Sequence, residues 1–341
     1  MRRRLRINLV ATAVALASVS LPAAAGRQIH LGMVLQANTM WHKAVTDMAD
    51  EWSRATDKRV AVIVHPAAGE EATILQRMRN GVWQAGALSV IGLTDIDPAF
   101  EVFTIPMFFE SYAELYQVTS ALTPLMEERL AKKGFVLLGW GHGGWVQVFS
   151  TKPVRSVGDL KSVKLFTSAG DDEMVEWYKQ NGFHPQSLAV EDVMMMLQTG
   201  GVEAVPTTPL LALSLRWYLK AGYMLKVGLA PVVGATVMTR RAWDEIAEAD
   251  RAKVLEAAHR MQAVLETEVP KQDEQAVVAM QSRKRLQVIE INEGAMQEWR
   301  TAADGFAKSM RGSRVEAAVF DLAIKARNEY RQHRGGGEGV R

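Results

Sequence analysis

Apolar positions along the first hundred residues of the folded region follow two alternating periods. Strand-like runs cover 29–35, 59–65 and 87–93, and they alternate with helical patterns over 40–54 and 70–83. In the first helix the apolar residues fall on one face at helical spacing. This strand–helix alternation predicts an α/β fold with parallel strand pairing.

The middle of the chain continues the α/β pattern between two unusually long extended runs, 139–151 and 223–238. Further strands are predicted at 135–140, 163–167 and 202–205, and helices at 112–133, 171–180, 190–199 and 209–219. Extended runs at both edges of a segment are what two domains joined by crossing strands would show. We therefore predict two α/β domains joined by crossing strands.

After residue 240 the composition changes to Ala, Glu, Arg, Lys and Gln at helical spacing, over 243–285 and 298–331. We expect long helices on the outside of the body. The predicted partition is domain I over 26–151 plus 232–270, domain II over 152–231, C-terminal helices over 271–334 that pack across both domains, and a flexible tail over 335–341.

The N-terminus has the three parts of an export signal. Basic residues 2–6 precede an apolar stretch from Ile7 to Leu21, and the small residues Ala23 and Ala25 follow. We predict cleavage after Ala25 and release of the chain into the periplasm. Cleavage would remove four arginines and change the formal charge from +2 to −2, because 36 basic residues would face 38 acidic ones.

Composition excludes several classes of function. The chain has no cysteine, so disulfides, thiolate metal sites and cysteine nucleophiles are absent. The basic excess lies in the export signal, so it does not indicate nucleic-acid binding. We expect neither a cofactor nor a metal, and a monomer or weak dimer.

One glycine-rich motif invites an enzymatic interpretation. Residues 139–144 (GWGHGG) match the dinucleotide pattern GxGxxG, but they lead into a strand pattern rather than a helix. We expect a flexible bend between strands there. The His-Gly-Gly run is also found in esterase oxyanion loops, yet the chain lacks a GxSxG nucleophile motif. The sequence therefore predicts a binding protein, not an enzyme.

Several segments resemble one known family. They are the first helix from Trp41 to Trp52, 79–86 (RNGVWQAG), 105–109 (IPMFF), 152–161 (KPVRSVGDLK) and 191–203, which ends in LQTGGVE. In order and spacing they are similar to the solute-binding subunits of tripartite ATP-independent periplasmic (TRAP) transporters of the dicarboxylate type. The resemblance implies a periplasmic binding protein-like fold, with two α/β domains hinged around a cleft. It also implies a receptor that delivers a small molecule to membrane permease subunits.

The chain departs from that family at the residues that hold the ligand. The resemblance implies an arginine on a short second-domain strand, where this chain has Phe166, and an asparagine where it has Thr207 or Thr208. A further basic position falls near the apolar Val146. Lys164 is a candidate substitute because it shares a strand face with Phe166.

These departures lead us to expect an apolar or amphipathic ligand, such as a lipid, fatty acid or aromatic compound. The alternatives are an organic acid taken up by a TRAP system, and an accessory role in an efflux or lipid-trafficking assembly of the envelope. The predicted ligand-binding residues are Asn38, Trp41, Glu70, Trp145, Phe166, Ser168, Met195, Thr207, Thr208 and Leu211.

Overall fold

A computed structural model describes residues 27–170 and 172–335 of the chain. The export signal with its cleavage site after Ala25, and residues 336–341 of the predicted tail, lie outside the described residues. Within the described part, no helix is both long enough and apolar enough to cross a membrane. The chain forms two β-sheets, each flanked by helices, and this confirms the predicted α/β fold.

Eleven strands in the described residues make up the two sheets. They are β1 (Arg27–Met33), β2 (Val60–His65), β3 (Ala85–Ser89), β4 (Phe135–Trp145), β5 (Gln147–Ser150), β6 (Lys164–Ser168), β7 (His184–Leu188), β8 (Ala204–Thr207), β9 (Tyr223–Leu225), β10 (Pro231–Thr239) and β11 (Gln287–Ile289). Sheet I has the order β2-β1-β3-β10-β4, and sheet II has the order β11-β9-β5-β8-β6-β7.

Twelve α-helices of the described part pack on these sheets. They are α1 (Met40–Ala55), α2 (Glu71–Arg79), α3 (Val90–Ile96), α4 (Tyr112–Lys132), α5 (Val157–Lys161), α6 (Asp172–Gln180), α7 (Val193–Thr199), α8 (Pro209–Ser214), α9 (Arg240–Asp244), α10 (Glu248–Ser282), α11 (Glu293–Met310) and α12 (Ala317–Gly335). Short 3-10 turns lie at Pro98–Thr104, Val190–Asp192 and Trp217–Leu219.

Sheet I is parallel where the sequence predicts it. Strand β1 pairs in parallel with β2 and with β3, and the returning strand β10 pairs antiparallel with both β3 and β4. Two apolar clusters cover the two faces. One contains Ile29, Leu31 and Met33 of β1 with α1 and α10, and the other packs beneath α2, α3, α4 and α12.

The two predicted crossing regions are present. Strand β4 belongs to sheet I and β5, two residues later, to sheet II, while β9 in sheet II is followed by β10 in sheet I. A flexible bend was expected at 139–144, but β4 runs as one strand to Trp145, so that prediction is wrong. The pairing with β10 continues through Gly141 and His142, and its register shifts after His142, where Gly144 takes a φ of 103°.

Helix α10 connects the two halves of the molecule. It has 35 residues, so it is about 50 Å long at 1.5 Å per residue. Val254, Leu265 and Val269 pack into the sheet I cluster, whereas Ala276 and Met280 pack into the sheet II cluster. A single helix is therefore part of both cores.

Some local predictions are wrong for identifiable reasons. The third strand ends at Ser89, not at 93, because the Ser89 hydroxyl accepts from the Ile91 N–H and starts α3. Helix α8 is shorter than predicted, since Arg216 takes a left-handed backbone conformation with φ of 59°. Strands β7 and β11 lie at the outer edges of sheet II and have no clear alternating pattern in the sequence.

Candidate functional site

The loop after β1 brings two predicted ligand residues to the carboxyl end of sheet I. Asn38 is exposed and has a left-handed backbone with φ of 66°. Thr39 caps α1 through its hydroxyl, which accepts from the His42 N–H. The indole N–H of the half-buried Trp41 then donates to the carbonyl oxygen of His142 at 2.8 Å. Trp41 thereby ties α1 to β4, the edge strand of sheet I.

Two successive glutamates lie where the loop after β2 leads into α2, and their environments differ. Glu70 is exposed and caps nothing with its side chain. Glu71 is only 8% exposed, and its Oε1 accepts from the Ser89 N–H at 2.9 Å. Its Oε2 is buried without a hydrogen-bond partner, and a Cβ at Gly92 would lie 2.5 Å from it. Burial raises the pKa of Glu71, partly offset by the Ser89 hydrogen bonds. Glu70 is the predicted ligand residue, whereas the buried Glu71 was not predicted.

Trp145 lies at the point where the chain leaves sheet I. Its indole packs on Gly228, where a Cβ would come within 2.3 Å of the indole nitrogen, and it meets the Tyr112 ring edge-on at 5.2 Å. The indole N–H is buried and has no hydrogen-bond partner. This predicted ligand residue therefore keeps a free donor in a largely apolar setting.

A residue that the sequence analysis missed lies beside Trp145. Asp273 of α10 accepts from the backbone N–H of Trp145 at 3.1 Å and from that of Leu210 at 3.0 Å. Burial raises the pKa of Asp273 to about 6, and the two backbone hydrogen bonds act in the opposite direction. It lies in a helix rich in charged residues, so nothing in the local pattern distinguishes it from its exposed neighbour Glu274.

On the sheet II side, Phe166 forms part of the core. It is 7% exposed and meets the Trp217 ring at 6.0 Å in an edge-on arrangement. The half-exposed Ser168 ends the same strand. Between them, the hydroxyl of Thr167 is buried without a hydrogen-bond partner. Phe166 is therefore packed mainly against other core residues. The next residue, Thr167, carries the unpaired hydroxyl.

Three more predicted residues, Thr207, Thr208 and Leu211, lie where the end of β8 leads into α8. Thr207 and Thr208 are buried, and the Thr208 hydroxyl caps α8 by accepting from the Leu211 N–H at 3.3 Å. Gln147 is the cross-strand neighbour of Thr207, and its Oε1 is also buried without a partner. This loop and the start of β5 thus present buried polar groups at the crossing between the sheets.

Two predicted candidates lie apart from this arrangement. Met195 is 56% exposed on the outer side of α7, whose Val193 and Leu197 turn into the core instead. Lys164, considered as a substitute cation, is exposed and donates to the Gly200 carbonyl oxygen at 2.9 Å. Helical spacing alone did not show which side of the methionine run is buried.

The described residues contain no group of three or more His, Asp or Glu side chains that could hold a metal ion. The predicted residues instead include aromatic rings and lie beside a few buried polar atoms, the two kinds of group that line small-molecule sites.

Comparison with known proteins identifies the family. The model of the family described as bacterial extracellular solute-binding protein, family 7, matches residues 31–312. The chain belongs to this family. Its members are binding proteins, so the expectation of a binding protein and not an enzyme is confirmed.

Solved structures share the fold of this family 7 protein. An extracytoplasmic solute receptor of Bordetella pertussis that binds pyroglutamic acid is 18% identical with a TM-score of 0.80, over 89% of this chain and 100% of that one. A TRAP periplasmic solute binding protein from Shewanella oneidensis with bound succinate is 17% identical with a TM-score of 0.80, over the same shares. The resemblance to TRAP receptors is confirmed at the level of fold.

Sequence similarity to curated proteins is low and covers part of the chain. An uncharacterised protein of Haemophilus influenzae is 24% identical over 184 residues, 54% of this chain. The match spans about half, 56%, of that relative's own length.

Proposed function

We propose that this chain is the solute receptor of a TRAP-type transport system. It would be exported to the periplasm, lose its signal after Ala25, close on a small molecule and present it to membrane permease subunits. The family match over residues 31–312, together with two sheets linked by crossing strands, carries this proposal. Crossing strands form the hinge on which such closure depends.

We further propose an amphipathic ligand, in the class of lipids, fatty acids or aromatic compounds. At the strand position for which the TRAP resemblance implies a carboxylate-binding arginine, this chain has the buried Phe166, and Lys164 is turned to the Gly200 carbonyl. Enclosing a ligand carboxylate without a cation would cost several kcal/mol, on the order of 2–7 for a polar group alone.

The ligand should not be purely apolar, however. The Trp145 indole N–H, the Gln147 Oε1 and the Thr167 hydroxyl are buried polar atoms that lack partners within the described protein. Each such group costs about 1–3 kcal/mol if it stays unsatisfied. A ligand with hydrogen-bonding groups at one end and an apolar body would complement these atoms and the aromatic rings around them.

The second candidate is an organic acid. It is favoured by the solved relatives, which are described with bound pyroglutamic acid and succinate, and it would require backbone N–H groups or hydroxyls to replace the guanidinium. A role in an efflux or lipid-trafficking assembly is a third possibility, to which neighbouring permease genes would be contrary evidence.

The test is native mass spectrometry of the protein as purified, followed by titration with 1-palmitoylglycerol, an uncharged amphipath, and with succinate. We expect a retained amphipathic molecule and tighter binding of 1-palmitoylglycerol. Phe166→Leu should keep this preference, since it preserves an apolar side chain. Phe166→Arg should lose 1-palmitoylglycerol affinity by about tenfold or more, because it adds a charge beside the apolar body of the ligand.

Retention of a small organic acid alone, with succinate affinity unchanged by Phe166→Arg, would exclude the amphipathic ligand and favour the second candidate. Circular dichroism and thermal unfolding of both variants are needed as a control. The arginine replaces a core residue, so only a folded variant can report on specificity.

A further inference from the structure

The carboxylate of Asp273 lies where three elements meet. It is 7% exposed and joins α10 to the end of β4 through the Trp145 N–H, and to the first turn of α8 through the Leu210 N–H. Within 27–170 and 172–335, no Lys, Arg or His side chain forms an ion pair with it. A buried carboxylate held only by backbone donors of two separate segments fixes the position of both.

The surrounding backbone is shaped for this carboxylate. Gly144 has φ of 103°, a conformation that favours glycine, and a Cβ there would lie 2.3 Å from Oδ2 of Asp273. In α8, Pro209 has no N–H, Leu210 donates to Asp273, and Leu211 donates to the Thr208 hydroxyl. Each backbone N–H group in the first three residues of α8 therefore has an acceptor, and for Leu210 the acceptor is Asp273 of α10.

Asp273 also lies between the two anchored parts of α10. Leu265 and Val269 pack with sheet I, and Ala276 and Met280 pack with sheet II. Asp273 holds the backbone of Trp145, which is a predicted ligand residue. It also holds Leu210, which lies two positions after the predicted ligand residue Thr208. A shift of the carboxylate would therefore move both walls of the site.

We propose that Asp273 is a positioning residue of the ligand site, which couples the placement of Trp145 and of the Thr208 loop to helix α10. The proposal rests on the proposed function, since Trp145 and Thr208 are taken as ligand residues. Asp273 itself need not touch the ligand. Its effect is on the population of the conformation in which the two walls face each other.

The experiment measures the distance between the two halves of the full-length mature protein. The chain has no cysteine, so cysteines introduced at the exposed Asp50 on α1 and Gln198 on α7 give two unique spin-label sites. Pulsed electron paramagnetic resonance is recorded on this background and with Asp273→Asn added. The matched control is Glu274→Gln, which removes an exposed acid from the adjacent position of the same helix.

We expect Asp273→Asn to shift or broaden the distance distribution, because the two backbone N–H groups face different carboxylate oxygens and the amide NH2 group would replace one of these acceptors with a donor. Glu274→Gln should leave the distribution unchanged. Gly144→Ala should also shift it, since its methyl group displaces the carboxylate while Asp273 stays intact, and it strains the backbone at φ of 103°. This second variant keeps the proposal testable if the asparagine variant does not fold.

Titrations of the same proteins with 1-palmitoylglycerol and with succinate supply the binding measurement. If the competent population falls about tenfold, the apparent Kd of whichever probe binds the wild type rises by about the same factor. Wild-type distances in both Asp273→Asn and Gly144→Ala would overturn the proposal, whatever their affinities. Failure of the wild type to bind any solute would instead count against the proposed function, because the distance measurement needs no ligand.

Discussion

Among the glycines of the described residues, Gly32, Gly144 and Gly228 lie where a side chain from a distant segment comes close to the backbone. Gly32 lies under Trp83, Gly228 under Trp145, and Gly144 beside the Asp273 carboxylate. In each case a Cβ would approach within 2.2–2.3 Å of that side chain. Tertiary packing therefore requires glycine at all three positions, and at Gly144 the backbone φ of 103° favours it as well.

The Gly32 contact gives a direct prediction at this scale. Gly32→Ala would place its Cβ 2.2 Å from the Trp83 ring, which is itself stacked on His65 and covered by Arg77. Because the ring has little room to move, we expect a loss of about 1–3 kcal/mol in the free energy of unfolding, measured by urea denaturation.

The control for this substitution is Gly305→Ala. Gly305 is exposed on α11, and a Cβ there meets nothing within 4 Å. Since alanine is the better helix former, this change should stabilise the protein by about 0.5–1 kcal/mol. Equal destabilisation by both substitutions would contradict the assignment of the Gly32 effect to the Trp83 contact.

Single residues could be predicted from sequence where local position decides their role, and not where contacts between distant segments decide it. Trp145 was selected from sequence because it follows the end of a strand, and Thr207 and Thr208 because the family resemblance implies an asparagine there; all three stay predicted ligand residues. Asp273 could not be found, because its role depends on the N–H groups of Trp145 and Leu210, which are 128 and 63 residues away. Glu71 differs from Glu70 only by burial, which the sequence does not show.

At the scale of elements, helix α10 contains a proline at the passage between the two cores. Pro270 has no N–H, so the carbonyl oxygen of Glu266 lacks its usual helical partner. The Tyr116 hydroxyl of α4 donates to that oxygen at 3.1 Å, and the Tyr116 ring packs on His142 at 4.8 Å. Helix α4 thus compensates for the interruption of α10.

A double-mutant cycle tests this compensation. Tyr116→Phe keeps the ring but removes the donor, and we expect a loss of about 1–2 kcal/mol in the free energy of unfolding. Pro270→Ala restores the N–H that can bind the Glu266 carbonyl within the helix. In the Pro270→Ala background, Tyr116→Phe should therefore cost less, with a coupling energy of about 0.5 kcal/mol or more. Strictly additive effects in urea titrations of the four proteins would refute the link.

Helices and strands could be predicted from sequence where their own residues determine where they begin and end. Helices α1 and α4 lie within one residue of the predicted ranges because their caps and apolar faces are local. Strand β4 was predicted in two pieces, since its continuity depends on β10, more than eighty residues later in the chain. Strands β7 and β11 complete sheet II at its edges and were missed because short edge strands carry little alternation.

At the scale of the whole molecule, the two sheets share more than their crossing strands. Helix α11 also contacts both halves: the Trp299 indole donates to the Arg155 carbonyl at 3.0 Å, and Phe306 packs in the sheet I cluster. Phe306 also meets Trp177 of α6 edge-on at 3.9 Å. The division into domains 26–151 plus 232–270 and 152–231 stays a prediction, but long helices common to both cores argue against independent folding of the halves.

This sharing predicts a single cooperative unfolding transition for the ligand-free protein in scanning calorimetry. Leu265→Ala empties a site in the sheet I core and Met280→Ala one in the sheet II core, and both side chains are almost fully buried. Each substitution should cost about 2–5 kcal/mol. Because α10 transmits the loss to both halves, each variant should lower the same transition, by roughly 2–4 °C per kcal/mol.

Val264→Ala, beside Leu265 but 52% exposed, should leave the transition almost unchanged. Two resolved transitions, with Leu265→Ala lowering one and Met280→Ala only the other, would show that the halves unfold separately and that α10 is a tether between them.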